Sequence, residues 1–171
     1  MVVLRCTRKL LARLGQAAVE EPGPSSTWLG DWYATLVFLR SARFVLCLSE
    51  RTLLPVVLPA RELATLGRRL ASAAGQVMAA IGVPAEVVRD EQDRMAEAVF
   101  ARTASRRVLG SMNDFAFMLA AQFDPNASLL DLSLDLAGTP CGPLRMESPM
   151  RATLAVFSDR PLPLMRADLN R

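Results

Sequence analysis

Apolar and polar positions change period several times along the chain. Val2-Val3-Leu4-Arg5-Cys6 is a short run of strand formers, and Thr7 is a fair N-cap for a helix over Lys9–Leu14 that stops at Gly15. The chain therefore opens with a strand and a helix. Thr35–Leu39 and Phe44–Leu48 flank Arg40-Ser41-Ala42-Arg43 and predict a hairpin with a basic tip. Leu53–Leu58 predicts a third strand, placed at an edge because Pro55 cannot donate a ladder hydrogen bond. Leu63, Leu66, Leu70, Ala74, Val77 and Ile81 recur at helical spacing up to Gly82. Pro84 then opens a second helix with Val88, Met95 and Val99 on one face, and its run of Glu86, Arg89, Asp90, Glu91, Asp93, Arg94 and Glu97 reads as a solvated outer face. Gly110-Ser111-Met112-Asn113-Asp114 has the form of a capping box, with Ser111 as N-cap ahead of a helix carrying Phe115, Met118, Leu119 and Phe123. Leu130–Leu136 alternates leucine with polar residues and predicts a half-buried strand, and Ala152–Phe157 predicts a final one.

The order β-α-β-β-β-α-α-α-β-β predicts one α+β domain over residues 1–171, with a mostly antiparallel sheet and helices packed on one face. Its 171 residues, 51% of them hydrophobic, suffice for one core. Residues 19–28, rich in turn formers and acids, are expected as an exposed loop, and residues 158–171 as a flexible tail. Arg40, Arg43, Glu50 and Arg51 interrupt the most apolar region, so no membrane span is expected. The basic first 19 residues lack a continuous apolar stretch and are read as part of the fold, not as a targeting segment.

Histidine is absent, which removes the commonest general base, every Ser-His-Asp or Cys-His arrangement and the histidine metal sites. Cys6, Cys47 and Cys141 are isolated in apolar surroundings, so they are read as buried packing residues in a reducing cytoplasm. No phosphate-binding P-loop, dinucleotide fingerprint or nucleophile elbow occurs. Neither a metal nor a cofactor is implied. The net charge of +3 carries its surplus in the N-terminal third, which permits phosphate contact without requiring it.

Four segments resemble a bacterial family of unknown function: Arg5-Cys6-Thr7-Arg8-Lys9-Leu10-Leu11, Leu29-Gly30-Asp31-Trp32-Tyr33-Ala34, Ser49-Glu50-Arg51-Thr52-Leu53 and Ser105–Asp114. Members of that family look like small stand-alone proteins, some carried on mobile elements such as integron cassettes. The resemblance runs in order from residue 1 to about residue 136 and implies no mechanism. At Ser105 and Arg107 this chain departs from the family pattern, which has Asn and Ser there.

Within these segments Asp31, Trp32, Ser49, Thr52, Arg106, Ser111, Asn113 and Asp114 supply an arginine, an amide, hydroxyls and carboxylates around a tryptophan. Two readings stand. If these residues converge, Arg106 and the free amides at the start of the Ser111 helix would bind a phosphate or nucleobase. Otherwise Ser111 and Asp114 cap a helix, Arg106 pairs with Asp31 and Trp32 packs in the core. Arg40 and Arg43 at the hairpin tip could touch nucleic-acid backbone or simply be solvated. The leading expectation is a non-catalytic cytoplasmic module that binds a nucleotide or nucleic acid, accessory to mobile-element, toxin–antitoxin or defence biology. The alternatives are a metal-dependent nuclease or phosphohydrolase using Asp31 and Asp114, and a homodimeric or partner-binding protein with a sticky edge near Pro55.

Overall fold

The computed structural model describes residues 1–40 and 42–158. Its elements are β1 (Val2–Cys6), α1 (Arg8–Leu14), β2 (Trp32–Leu39), β3 (Ala42–Ser49), β4 (Pro55–Pro59), α2 (Leu66–Ala80), α3 (Ala85–Arg94), β5 (Ala98–Arg102), α4 (Arg106–Gln122), α5 (Leu129–Ala137) and α6 (Pro149–Ser158). The strands form one mixed sheet in the order β4-β3-β2-β1-β5. β2 pairs antiparallel with β3 over eight residues, from Trp32↔Ser49 to Leu39↔Ala42, and β3 pairs antiparallel with β4. β1 lies parallel to both β2 and β5, with Cys6 level with Ala34 on one side and Arg102 on the other. The sheet is thus mostly antiparallel, within a single α+β domain.

The helices, expected on one face, lie on both. Runs such as Phe44-Val45-Leu46-Cys47-Leu48 are apolar at consecutive positions, so each strand presents apolar side chains to both sides and needs cover on both. Leu4, Cys6, Trp32, Val45, Cys47 and Val56 join Leu10 of α1, Leu70, Ala74 and Val77 of α2, and Val87 and Val88 of α3 on the first face. Tyr33, Val37, Leu46, Leu48 and Val57 join Val108, Met112, Phe115 and Leu119 of α4 on the second. Gly67 lets α2 approach β5 closely, because a Cβ there would collide with the Cβ of Ala98.

Two expected strands are helices. Leu129–Ala137 starts at Ser128, whose Oγ accepts the Asp131 amide while the Asp131 carboxylate accepts the Ser128 amide. Asp131 and Asp135, four apart, face solvent and Leu132 and Leu136 face the core, so the leucine–acid alternation satisfies a helix as well as a strand. In α6, Pro149 occupies the first helical turn and Ser148 Oγ accepts the Arg151 amide at 3.3 Å. Conversely, Val99 belongs not to the helix after Pro84 but to β5, because α3 stops at Arg94 and Ala98–Arg102 pairs with β1. β4 is the edge strand that Pro55 requires. Its outer side is covered by α5, where Ser133 Oγ accepts the Val57 amide at 2.9 Å.

Residues 19–28 are largely exposed but tied down. Val19 bridges to Ala101, the Ser26 amide donates to Met1 O, and Thr27 is buried. Glu91, expected in the solvated face of its helix, is fully buried, and its carboxylate accepts the amides of Trp28 and Leu29 at 2.9–3.1 Å. The expected tail lies, from residue 159 on, outside the described residues.

Candidate functional site

The residues singled out from the sequence do not form one pocket. Asp31 sits just before β2 and is held by Arg5, whose Nε donates to it at 2.6 Å, and by Ser25 Oγ at 2.7 Å. Its partner is therefore Arg5 and not Arg106. Trp32 is wholly buried in the first-face core, and its indole Nε1 has no hydrogen-bond partner among the described residues. Ser49 and Thr52 form a buried hydroxyl chain with Thr153 of α6, with oxygen–oxygen distances of 2.8 and 2.9 Å.

Ser111 does not cap a helix. α4 begins at Arg106 with Ser105 as N-cap, its Oγ accepting the Val108 amide, so Ser111 lies inside the helix and its Oγ donates to Arg107 O. The amides after Gly110 are consumed by the helix ladder and cannot cradle an anion. Arg106 is exposed on the first turn, and Asn113 and Asp114 are exposed along α4. The start of α4 is instead tied to the sheet: the Ser105 amide donates to Tyr33 Oη at 3.2 Å and Arg107 Nη2 donates to Glu50 O at 2.7 Å. Burial, reinforced by the Glu50 charge, pushes the Tyr33 phenol above its ordinary value of 10.0.

A concave site does exist, at a place the sequence did not announce. β1 and β5 are neighbouring parallel strands, and the chain leaves them towards opposite faces, β1 into α1 on the first and β5 into α4 on the second. Such a divergence opens a crevice at the carboxyl ends of the strands. Here it measures about 680 Å³ and is lined by Cys6, Arg8, Leu11, Ala12, Gln16, Ala18, Arg102 and Thr103. Cys6 and Arg102 are register partners, so Arg102 projects to the same face as α1. The Arg102 carbonyl accepts Arg5 Nη1 at 3.1 Å. Neither Arg8 nor Arg102 has an ion pair among the described residues, and both side chains are exposed.

The crevice is cationic and lacks an obvious nucleophile. Cys6 is 1% exposed, and burial pushes its thiol from 9.0 up to about 12, so at neutral pH it is a neutral wall residue. Burial likewise raises Cys47, and burial together with the Asp114 charge raises Cys141. The cysteines are packing residues, as expected. Among the described residues no three carboxylates or thiols gather closely enough to hold a metal ion, and no helix is long and apolar enough to cross a membrane. Arg8 could have been noticed, since it falls in the first of the resembling segments. Arg102 could not, because local periodicity assigned its neighbours to a helix.

Fold and site thus define a small α+β protein with a basic crevice at the carboxyl ends of two parallel strands. The family model described as Domain of unknown function (DUF6933) matches residues 3–152, and the chain belongs to that family. No curated protein and no solved structure matches it.

Proposed function

We propose that this protein is a binding module for a phosphate-bearing ligand, a nucleotide or nucleic acid, and that it binds the phosphate in the crevice between β1 and β5. The observation that carries the reading is the pair of arginines, Arg8 and Arg102, that have no carboxylate partner among the described residues and line a concave site at a strand divergence. Guanidinium groups match phosphate in geometry and charge, and Thr103 adds a hydroxyl at the rim. The apolar side chains of Leu11 and Ala12 in the crevice lining suit a base or sugar. A location in a bacterial cytoplasm and an accessory role in mobile-element, toxin–antitoxin or defence biology belong to the same reading and rest on the family resemblance alone.

The test is thermal denaturation with inorganic pyrophosphate and with ATP, for the wild type and for Arg8→Ala/Arg102→Ala. Because both side chains are exposed and have no ion pair among the described residues, the double variant should melt within about a degree of wild type without ligand. A rise in Tm with either probe that the variant loses supports the crevice site. No rise in the wild type overturns it.

A further inference from the structure

The crevice is one end of a longer basic stretch of surface. Three segments meet where β1, β2 and β5 point their carboxyl ends, namely residues 1–19, 32–49 and 98–113. Together they contain Arg5, Arg8, Lys9, Arg13, Arg40, Arg43, Arg102, Arg106 and Arg107 and no aspartate or glutamate. β2 continues five residues beyond Ala34, the partner of Cys6, so the β2–β3 hairpin projects about 17 Å past the mouth of the crevice. α1 lies along this projection. Arg8, Leu11 and Ala12 form the crevice wall, while Lys9 reaches Phe38 of β2, its Nζ 3.9 Å from the ring centre. Arg43, the register partner of Phe38, lies 5.9 Å from the same ring centre. Phe38 is 43% exposed, so both cations lie beside its ring at the surface. The turn Leu63–Thr65, which packs on α1, follows Arg61 and Glu62, one charge of each sign. The acids adjoining these segments are Glu20, Asp31, Glu50, Glu97 and Asp114: Asp31 is paired with Arg5, Glu97 precedes β5, Asp114 is exposed along α4, Glu20 follows the bridge of Val19 to Ala101, and the Glu50 carbonyl accepts Arg107 Nη2.

The geometry points to a single-stranded nucleic acid as the ligand: one nucleotide sits in the crevice, and the following phosphates cross α1 past Arg8 and Lys9 to the Phe38–Arg40–Arg43 hairpin. This deepens the crevice reading and rests on it. A mononucleotide would use only Arg8 and Arg102, leaving the projecting cations unexplained. A single strand can enter a concave site and follow a convex cationic track, the arrangement by which single-strand binders combine charge with aromatic side chains.

The experiment measures fluorescence anisotropy of labelled oligothymidylate and oligouridylate of about twelve nucleotides. Pyrophosphate, a mononucleotide and a duplex of equal length serve as comparison probes, and each titration is repeated at several salt concentrations. The proteins are wild type, Arg40→Ala/Arg43→Ala and Arg8→Ala/Arg102→Ala. The single strands should bind at least tenfold more tightly than the mononucleotide. The hairpin variant should lose most of that gain and reduce the slope of log K against log salt by about 1.4, at about 0.7 per phosphate contact. Its response to pyrophosphate should be unchanged. The crevice variant should lose both. Relative affinity for the two oligomers then distinguishes RNA from DNA as the source. Single strands binding no tighter than the mononucleotide, an unaffected hairpin variant, or a duplex binding as well overturns the inference and leaves the crevice reading intact. Failure of every probe, pyrophosphate included, overturns both.

Discussion

Glu91 has no exposed surface, and both of its oxygens are engaged by the backbone of the segment leading into β2. The neighbouring Asp90 takes Trp28 Nε1 at 2.9 Å and Arg94 Nε at 2.8 Å, and Arg94 stacks 4.1 Å from the Trp28 ring. This clamp on α3 determines where the 25–31 loop enters the sheet and hence where Asp31 meets Arg5. Glu91→Ala strands the amides of Trp28 and Leu29, each costing about 1–3 kcal/mol. The variant should therefore lose about 2–6 kcal/mol in urea denaturation, whereas Glu91→Gln, which keeps one acceptor oxygen, should lose less. Equal losses for the two variants would show that the clamp acts through charge and not through acceptor geometry. The helical spacing around Glu91 was legible in the sequence; its burial was not, since a charge run on a helix usually faces water.

Among the elements, α5 shows how one pattern serves two structures. Leucine and polar residues alternate through Leu130–Leu136, yet the capping box at Ser128 and the i, i+4 pairs Leu132/Leu136 and Asp131/Asp135 fit a helix equally well. What selects the helix is the uncovered edge of β4. Lying along it, α5 lets Ser133 donate to Leu129 O and accept the Val57 amide, closing an edge that would otherwise invite pairing. Ser133→Ala should destabilise by about 1–3 kcal/mol, and the Val57 amide should lose much of its protection in hydrogen exchange. Unchanged protection would mean that α5 covers the edge without that bond.

At the scale of the whole molecule, the two covered faces place all three cysteine thiols in apolar surroundings, and alkaline stability should report it. Cys6 ionises at about 12 in the fold against 9.0 unfolded, and Cys47, Cys141 and the Tyr33 phenol shift in the same direction. Groups whose folded values are raised stabilise fully below their unfolded values and lose that contribution as pH climbs towards the folded ones. Tm should accordingly hold below pH 9 and fall between about pH 9 and 12, and Cys6→Ala should soften that fall. A Tm independent of pH across this window would show that the thiols are solvated. What the sequence by itself determined is the set of features written in neighbouring residues: the β1–α1 opening, the β2–β3 hairpin with its basic tip, β4 as an edge, α2, the buried cysteines and the acid-free segments. Only the tertiary structure decided the rest. Arg5 and Arg102, 97 positions apart, meet through parallel pairing that no local period encodes, and that pairing turned the end of a presumed helix into β5. The crevice exists because strands brought together in this way send their chains to opposite faces, which is a property of the sheet and of no single segment.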